Sequence, residues 1–124
     1  MKRDMDLIRN ILLRIEKYPH FPSYLNKEEV NDNPISLEFK HYDEETINYH
    51  IKLLVEAGIV EKFPKASYPY VPRGLTWDGH EYLDLMKDES AWEQAKEMMK
   101  KTGGMAFEIL IRVLLEIAAK AVTG

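Results

Sequence analysis

The stretch TINYHIKLLVEAGIVEKF, residues 46–63, constrains this chain more than any other. Ile47, Ile51 and Leu54 fall at i, i+4 and i+7, an apolar stripe at the helical period and aimed at a core. Asp43 is placed to cap the helix start, and Glu44 and Glu45 suit the positive end of its dipole. Gly58 follows, where a left-handed backbone ends a helix without steric cost. Residues 59–63 then switch to extended, β-tolerant types. The expectation is one helix running through a glycine into one strand.

At 124 residues the chain is long enough to bury a core without staples, and its 45% hydrophobic content is ordinary for a globular protein. It has no cysteine, which excludes disulfides, thiolate catalysis and the usual zinc clusters. The opening Met-Lys-Arg-Asp-Met-Asp is charged and lacks the apolar run of a signal peptide. The most apolar segment, 105–122, contains Glu108, Arg112, Glu116 and Lys120, a density of charge that argues against a membrane span. A cytoplasmic protein with no membrane partner is expected. Net charge is −4, whereas compact DNA-binding domains are usually basic because phosphate neutralisation supplies much of their affinity.

Residues 4–18 read as a first helix with Met5, Ile8, Ile11, Leu12 and Ile15 on one face, ended by Pro19 and Pro22. Residues 26–30 suit a short helix or turn, Asn33-Pro34 a turn, and 35–40 the alternation of a half-buried strand. No clear second helix directly precedes Asp43. After the strand at 59–63, PKASYPYVPRG has three prolines and reads as an extended loop. Residues 75–77 are the expected returning strand, and Thr76 the cap of a helix to Lys87 with Leu83 and Met86 inward. Ser90 and Glu93 have capping-box spacing for a helix to about Lys101, with Trp92, Ala95, Met98 and Met99 on its apolar side. The last helix, 105–122, has a polar stripe only one residue wide, so most of its circumference is apolar.

Three stretches, MKRDMDLIRNILLRIEKY, YHIKLLVEAG and LTWDGHEYLD, resemble the domain-of-unknown-function family 2513. These are small winged-helix-like proteins, largely from bacteria and their prophages, with no assigned biochemical activity. Thr46, Ile47, His50, Ile51, Leu54, Ala57, Gly58, Ile59 and Val60 also resemble the recognition helix and following strand of ArsR-like and MarR-like regulators. The resemblance implies an α+β, mainly α fold: a winged helix-turn-helix core with a small β-hairpin wing and additional C-terminal helices. The winged-helix domain would cover residues 1–87, and 88–124 would form a C-terminal helical extension.

Catalytic chemistry is not evident. His20, His41, His50 and His80 form no i,i+4 pair, Gly103-Gly104 lacks a phosphate-cradle pattern, and Gly79-His80-Glu81 has no serine beside it. No enzyme, metal or cofactor is expected. The outward positions of the helix are read as Glu45, Asn48, Tyr49, Lys52 and Glu56. Asn48 would read adenine, Tyr49 and Lys52 would hold phosphates, and His50 would reach the backbone. The loop adds Lys62, Lys65 and Arg73, with Tyr68 and Tyr70 between them. Two readings stand: a dimeric DNA-binding transcriptional regulator for double-stranded DNA, or a winged-helix module for a protein partner. The four acids Asp43, Glu44, Glu45 and Glu56 favour the second, and the lysines and tyrosines also read as solvated charge and sheet cover. Homodimer contacts would come from Phe107, Leu110, Ile111, Leu114, Leu115 and Ala118 of the last helix.

Overall fold

The computed structural model describes residues 3–17, 39, 41–65, 67–101 and 106–123. The protein is α+β and mainly helical, with five helices and a two-stranded antiparallel sheet among the described residues. It divides into two compact units, Met1–His80 and Glu81–Gly124. The expected helix or turn at 26–30 and the turn at Asn33-Pro34 lie outside the described residues, as does the strand expected at 35–40 except for Phe39, which is not in a strand.

In the first unit, α1 (Met5–Lys17) buries Met5, Leu7, Ile8, Ile11, Leu12 and Ile15. Its start is capped by Asp4, whose Oδ1 accepts the Leu7 N–H at 3.0 Å. Helix α2 (Glu44–Glu56) buries Ile47, Asn48, His50, Ile51 and Leu54, and packs on α1. Asp43 caps it as expected, its Oδ1 accepting the Thr46 N–H at 2.7 Å. The side-chain and backbone hydrogen bonds from Thr46 hold the Asp43 carboxyl below its usual range, so the cap stays charged.

The end of α2 carries the junction. Gly58 takes φ +74°, its N–H reaches Val55 O at 3.1 Å, and the Ile59 N–H reaches back to Leu54 O at 2.9 Å. That pair of bonds is a Schellman cap, closed by Ile59 against Leu54, both buried. Because Ile59 completes the cap, the strand starts one residue later than expected: β1 is Val60–Lys62. It pairs antiparallel with β2 (Pro72–Leu75), with Val60 opposite Leu75, Glu61 opposite Gly74 and Lys62 opposite Pro72. Arg73 has no partner across the ladder, a bulge on β2.

The returning strand expected at 75–77 therefore sits earlier. Thr76 has left it for a different task. Its N–H donates to Ile59 O at 3.0 Å, and its hydroxyl lies 2.6 Å from Gly58 O and 3.1 Å from Ile59 O. The same oxygen accepts the Gly79 N–H at 3.0 Å, capping α3 (Trp77–Met86) as the sequence predicts. Gly79 is buried, and a Cβ there would overlap the Ile59 carbonyl oxygen. Thr76 and Gly79 thus fasten the start of α3 to the turn that ends α2.

In the second unit, α4 (Glu89–Lys101) packs on α5 (Phe107–Thr123), burying Trp92, Ala95 and Met99, while Met98 is exposed. The α4 cap is Asp88 and not Ser90: the Ala91 N–H donates to Asp88 Oδ1 at 2.8 Å, and Ser90 Oγ accepts from Gln94. Aspartate caps as well as serine, and its negative charge also complements the helix dipole, so the helix begins two residues sooner, at Glu89. No described helix is long and apolar enough to cross a membrane.

Candidate functional site

The residues singled out on α2 divide sharply. Asn48 is 7% exposed and His50 is completely buried, which corrects the expected outward placement of Asn48 and the expected reach of His50 to a DNA backbone. The spacing explains it: His50 lies three residues after Ile47 and four before Leu54, inside the apolar stripe. Its ring serves the fold. His50 Nε2 accepts the Asp4 N–H at 2.8 Å, so the proton sits on Nδ1, which donates to Thr46 O at 2.7 Å. Asp4 in turn accepts the Tyr42 hydroxyl at 3.1 Å through Oδ2. Burial, that bond and the negative charges of Asp4 and Asp6 raise the Tyr42 pKa, keeping the phenol as donor. This Asp4–Tyr42–His50 knot ties the start of α1 to α2. A histidine within an apolar helical stripe was the sequence signal for it.

Tyr49 is half-buried, its ring edge-on to His50 at 5.5 Å. Lys52 remains on the surface and joins a row that crosses from α2 to the hairpin. Its Nζ lies 5.9 Å from the Tyr68 ring centroid; Tyr68 and Tyr70 meet edge to face at 5.9 Å; Lys62 Nζ lies 5.4 Å from the Tyr70 ring. Each ammonium stands within cation–π range of one ring. Tyr68 is 50% exposed, while Lys52, Lys62 and Tyr70 are half-buried. Lys65 on the β1–β2 connection and Arg73 on β2 are both exposed.

Charge is unevenly shared between these elements. Residues 43–56 hold Asp43, Glu44, Glu45 and Glu56 against Lys52 alone, and Lys52 pairs with Glu56 at 3.9 Å. Residues 60–75 hold Lys62, Lys65 and Arg73 against Glu61 alone. The hairpin is therefore the cationic element of the site, and the helix the anionic one.

On α5 the structure corrects half of the expected contact face. Leu110, Ile111 and Leu114 are buried within the single chain, and Phe107 is half-buried with its ring 5.7 Å from that of Tyr82. Leu115 and Ala118 stay exposed, as does Ile109. A further exposed aromatic, Trp77 at 80%, lies at the first position of α3. A depression along α4, lined by Ser90, Glu93, Gln94, Glu97 and Met98, draws on one helix alone. Among the described residues no three His, Cys, Asp or Glu side chains gather as a metal-holding set.

Comparison with known proteins agrees with the motif resemblance. An uncharacterized protein of Haemophilus influenzae (strain ATCC 51907 / DSM 11121 / KW20 / Rd) is 36% identical over 103 residues, covering 81% of this chain and 80% of that protein. No solved structure matches the chain. The profile of the family described as hypothetical protein (DUF2513) matches residues 2–106, and the chain belongs to that family.

Proposed function

We propose that the Met1–His80 unit is a winged helix that binds double-stranded DNA, as a non-enzymatic, cofactor-free transcriptional regulator of bacterial or prophage type in the cytoplasm. The observation that carries this reading is the row Lys52–Tyr68–Tyr70–Lys62, cations and phenols drawn from helix and hairpin together around the exposed Tyr68. Lysine, arginine and tyrosine are phosphate-holding side chains, and with Lys65 and Arg73 the surface offers four cations. Anisotropy titration of short labelled duplexes at low salt tests it. Four phosphate contacts predict an affinity that falls with salt at a logarithmic slope of about −3 to −4. A protein that leaves duplex DNA unbound at low salt overturns the reading.

The net charge of −4 opposes this reading, and Trp77 favours a second one: a winged-helix module for a protein partner. A tryptophan so exposed is the residue type that anchors interfaces when a partner covers it. The second reading takes over when duplex binding fails. Self-association through the side of α5 where Leu115 and Ala118 are exposed fits either reading. Light scattering decides it, because a chain that stays monomeric at high micromolar concentration overturns the dimer.

A further inference from the structure

We infer that the β1–β2 hairpin, and not the outer face of α2, carries the DNA contact, and that the contact is phosphate-directed with little base discrimination. This rests on the DNA-binding reading above. A helix reads bases in the major groove through side chains that project from it, above all Asn, Gln, Arg and Lys. On α2 the amide suited to pair bidentately with adenine, Asn48, is buried, and so is His50. What α2 shows to solvent includes Glu44, Glu45 and Glu56, joined by the charged Asp43 carboxylate at its N-terminus. Those carboxylates would enter a groove walled by phosphates and repel it. Lys52, the cation of this helix, is engaged by Glu56 on one side and the Tyr68 ring on the other.

The hairpin has the opposite character. Lys62, Lys65 and Arg73 outnumber Glu61, and Tyr68 and Tyr70 add hydroxyls that donate to phosphate oxygens. The bulge at Arg73 is a second, independent observation. It removes that residue from the ladder, and bulges recur where a strand must re-aim a side chain. Contacts of these types fix orientation on a duplex and carry no sequence information of their own.

The test uses the full chain with a panel of unrelated duplexes at several salt concentrations. Thermal melts first establish that the surface variants are folded. Lys65→Ala/Arg73→Ala should flatten the salt slope by about 2 and weaken binding roughly 10- to 100-fold at 0.1 M salt, equally on every duplex. Tyr49→Ala should change affinity by less than about threefold, and the unmodified chain should spread less than about tenfold across the panel. A sequence-selective loss in Tyr49→Ala, or a double variant with an unchanged slope, overturns the hairpin assignment while leaving DNA binding intact. Absence of binding in the unmodified chain overturns the DNA reading itself, and this inference with it.

Discussion

Replacing His50 with alanine is expected to destabilise the protein by about 3–5 kcal/mol, a large part of the roughly 5–15 kcal/mol that typically separates folded from unfolded states. Two terms add. The Asp4 N–H loses its acceptor in a part-buried place, which costs about 1–3 kcal/mol. Deleting a fully buried ring also leaves a cavity, and comparable deletions of buried side chains cost about 2–5 kcal/mol depending on how far the site collapses. In many helices the N–H of the capping residue is satisfied by a glutamate three residues on. Here that place is Leu7, which has no acceptor, so a side chain from another helix supplies it. His50→Gln tests the assignment, because glutamine can set an amide oxygen near the position of Nε2 and should recover part of the loss. Urea melts of the three proteins read this directly. A His50→Ala protein within about 1 kcal/mol of the parent would show that the ring is not a structural tie.

Gly79→Ala is expected to cost about 2–3 kcal/mol even though alanine is the better helix former. On propensity alone the change should gain about 1 kcal/mol. The added methyl, however, meets the Ile59 carbonyl oxygen and carbon and the Leu75 Cβ. Backbone yields less readily than the end of a side chain, and overpacking of this kind costs about 1–3 kcal/mol. The same Ile59 oxygen accepts the Thr76 N–H and neighbours its hydroxyl, so pushing it away weakens bonds worth about 0.5–1.5 kcal/mol each. Thermal melting shows the sign. A Gly79→Ala protein that melts above the parent would mean that α3 does not approach the α2–β1 turn so closely.

Much of the architecture was legible because it is set locally. The stripe of Ile47, Ile51 and Leu54, the cap at Asp43 and the left-handed Gly58 are each determined by a few adjacent residues, and the structure places all three as expected. What the sequence concealed depends on contacts distant along the chain. Thr76 reads equally well as the end of a strand or the start of a helix, and its bonds to Gly58 and Ile59, 18 and 17 residues away, decide between them. The width of the buried face of α2 was hidden for a similar reason. His50 is a polar residue in an apolar stripe, and its partner Asp4 lies 46 residues earlier. On α5 the narrow polar stripe suggested an uncovered apolar side. Leu110, Ile111 and Leu114 are nonetheless buried within one chain, while Leu115 and Ala118 stay open. The row of Lys52, Tyr68, Tyr70 and Lys62 was visible as a set of residue types, while its contacts required the hairpin to turn its loop towards α2.

The most direct measurement of the proposed site is an amide NMR titration of the isotope-labelled full chain with an unmodified random-sequence duplex at low salt. The account predicts shifts and broadening concentrated at Lys62, Lys65, Tyr68, Tyr70 and Arg73, with a smaller effect at Lys52, while the signals of His50 and Asn48 hold their positions. Perturbation confined to the neighbourhood of Trp77, or a spectrum that duplex DNA leaves unchanged, would contradict it.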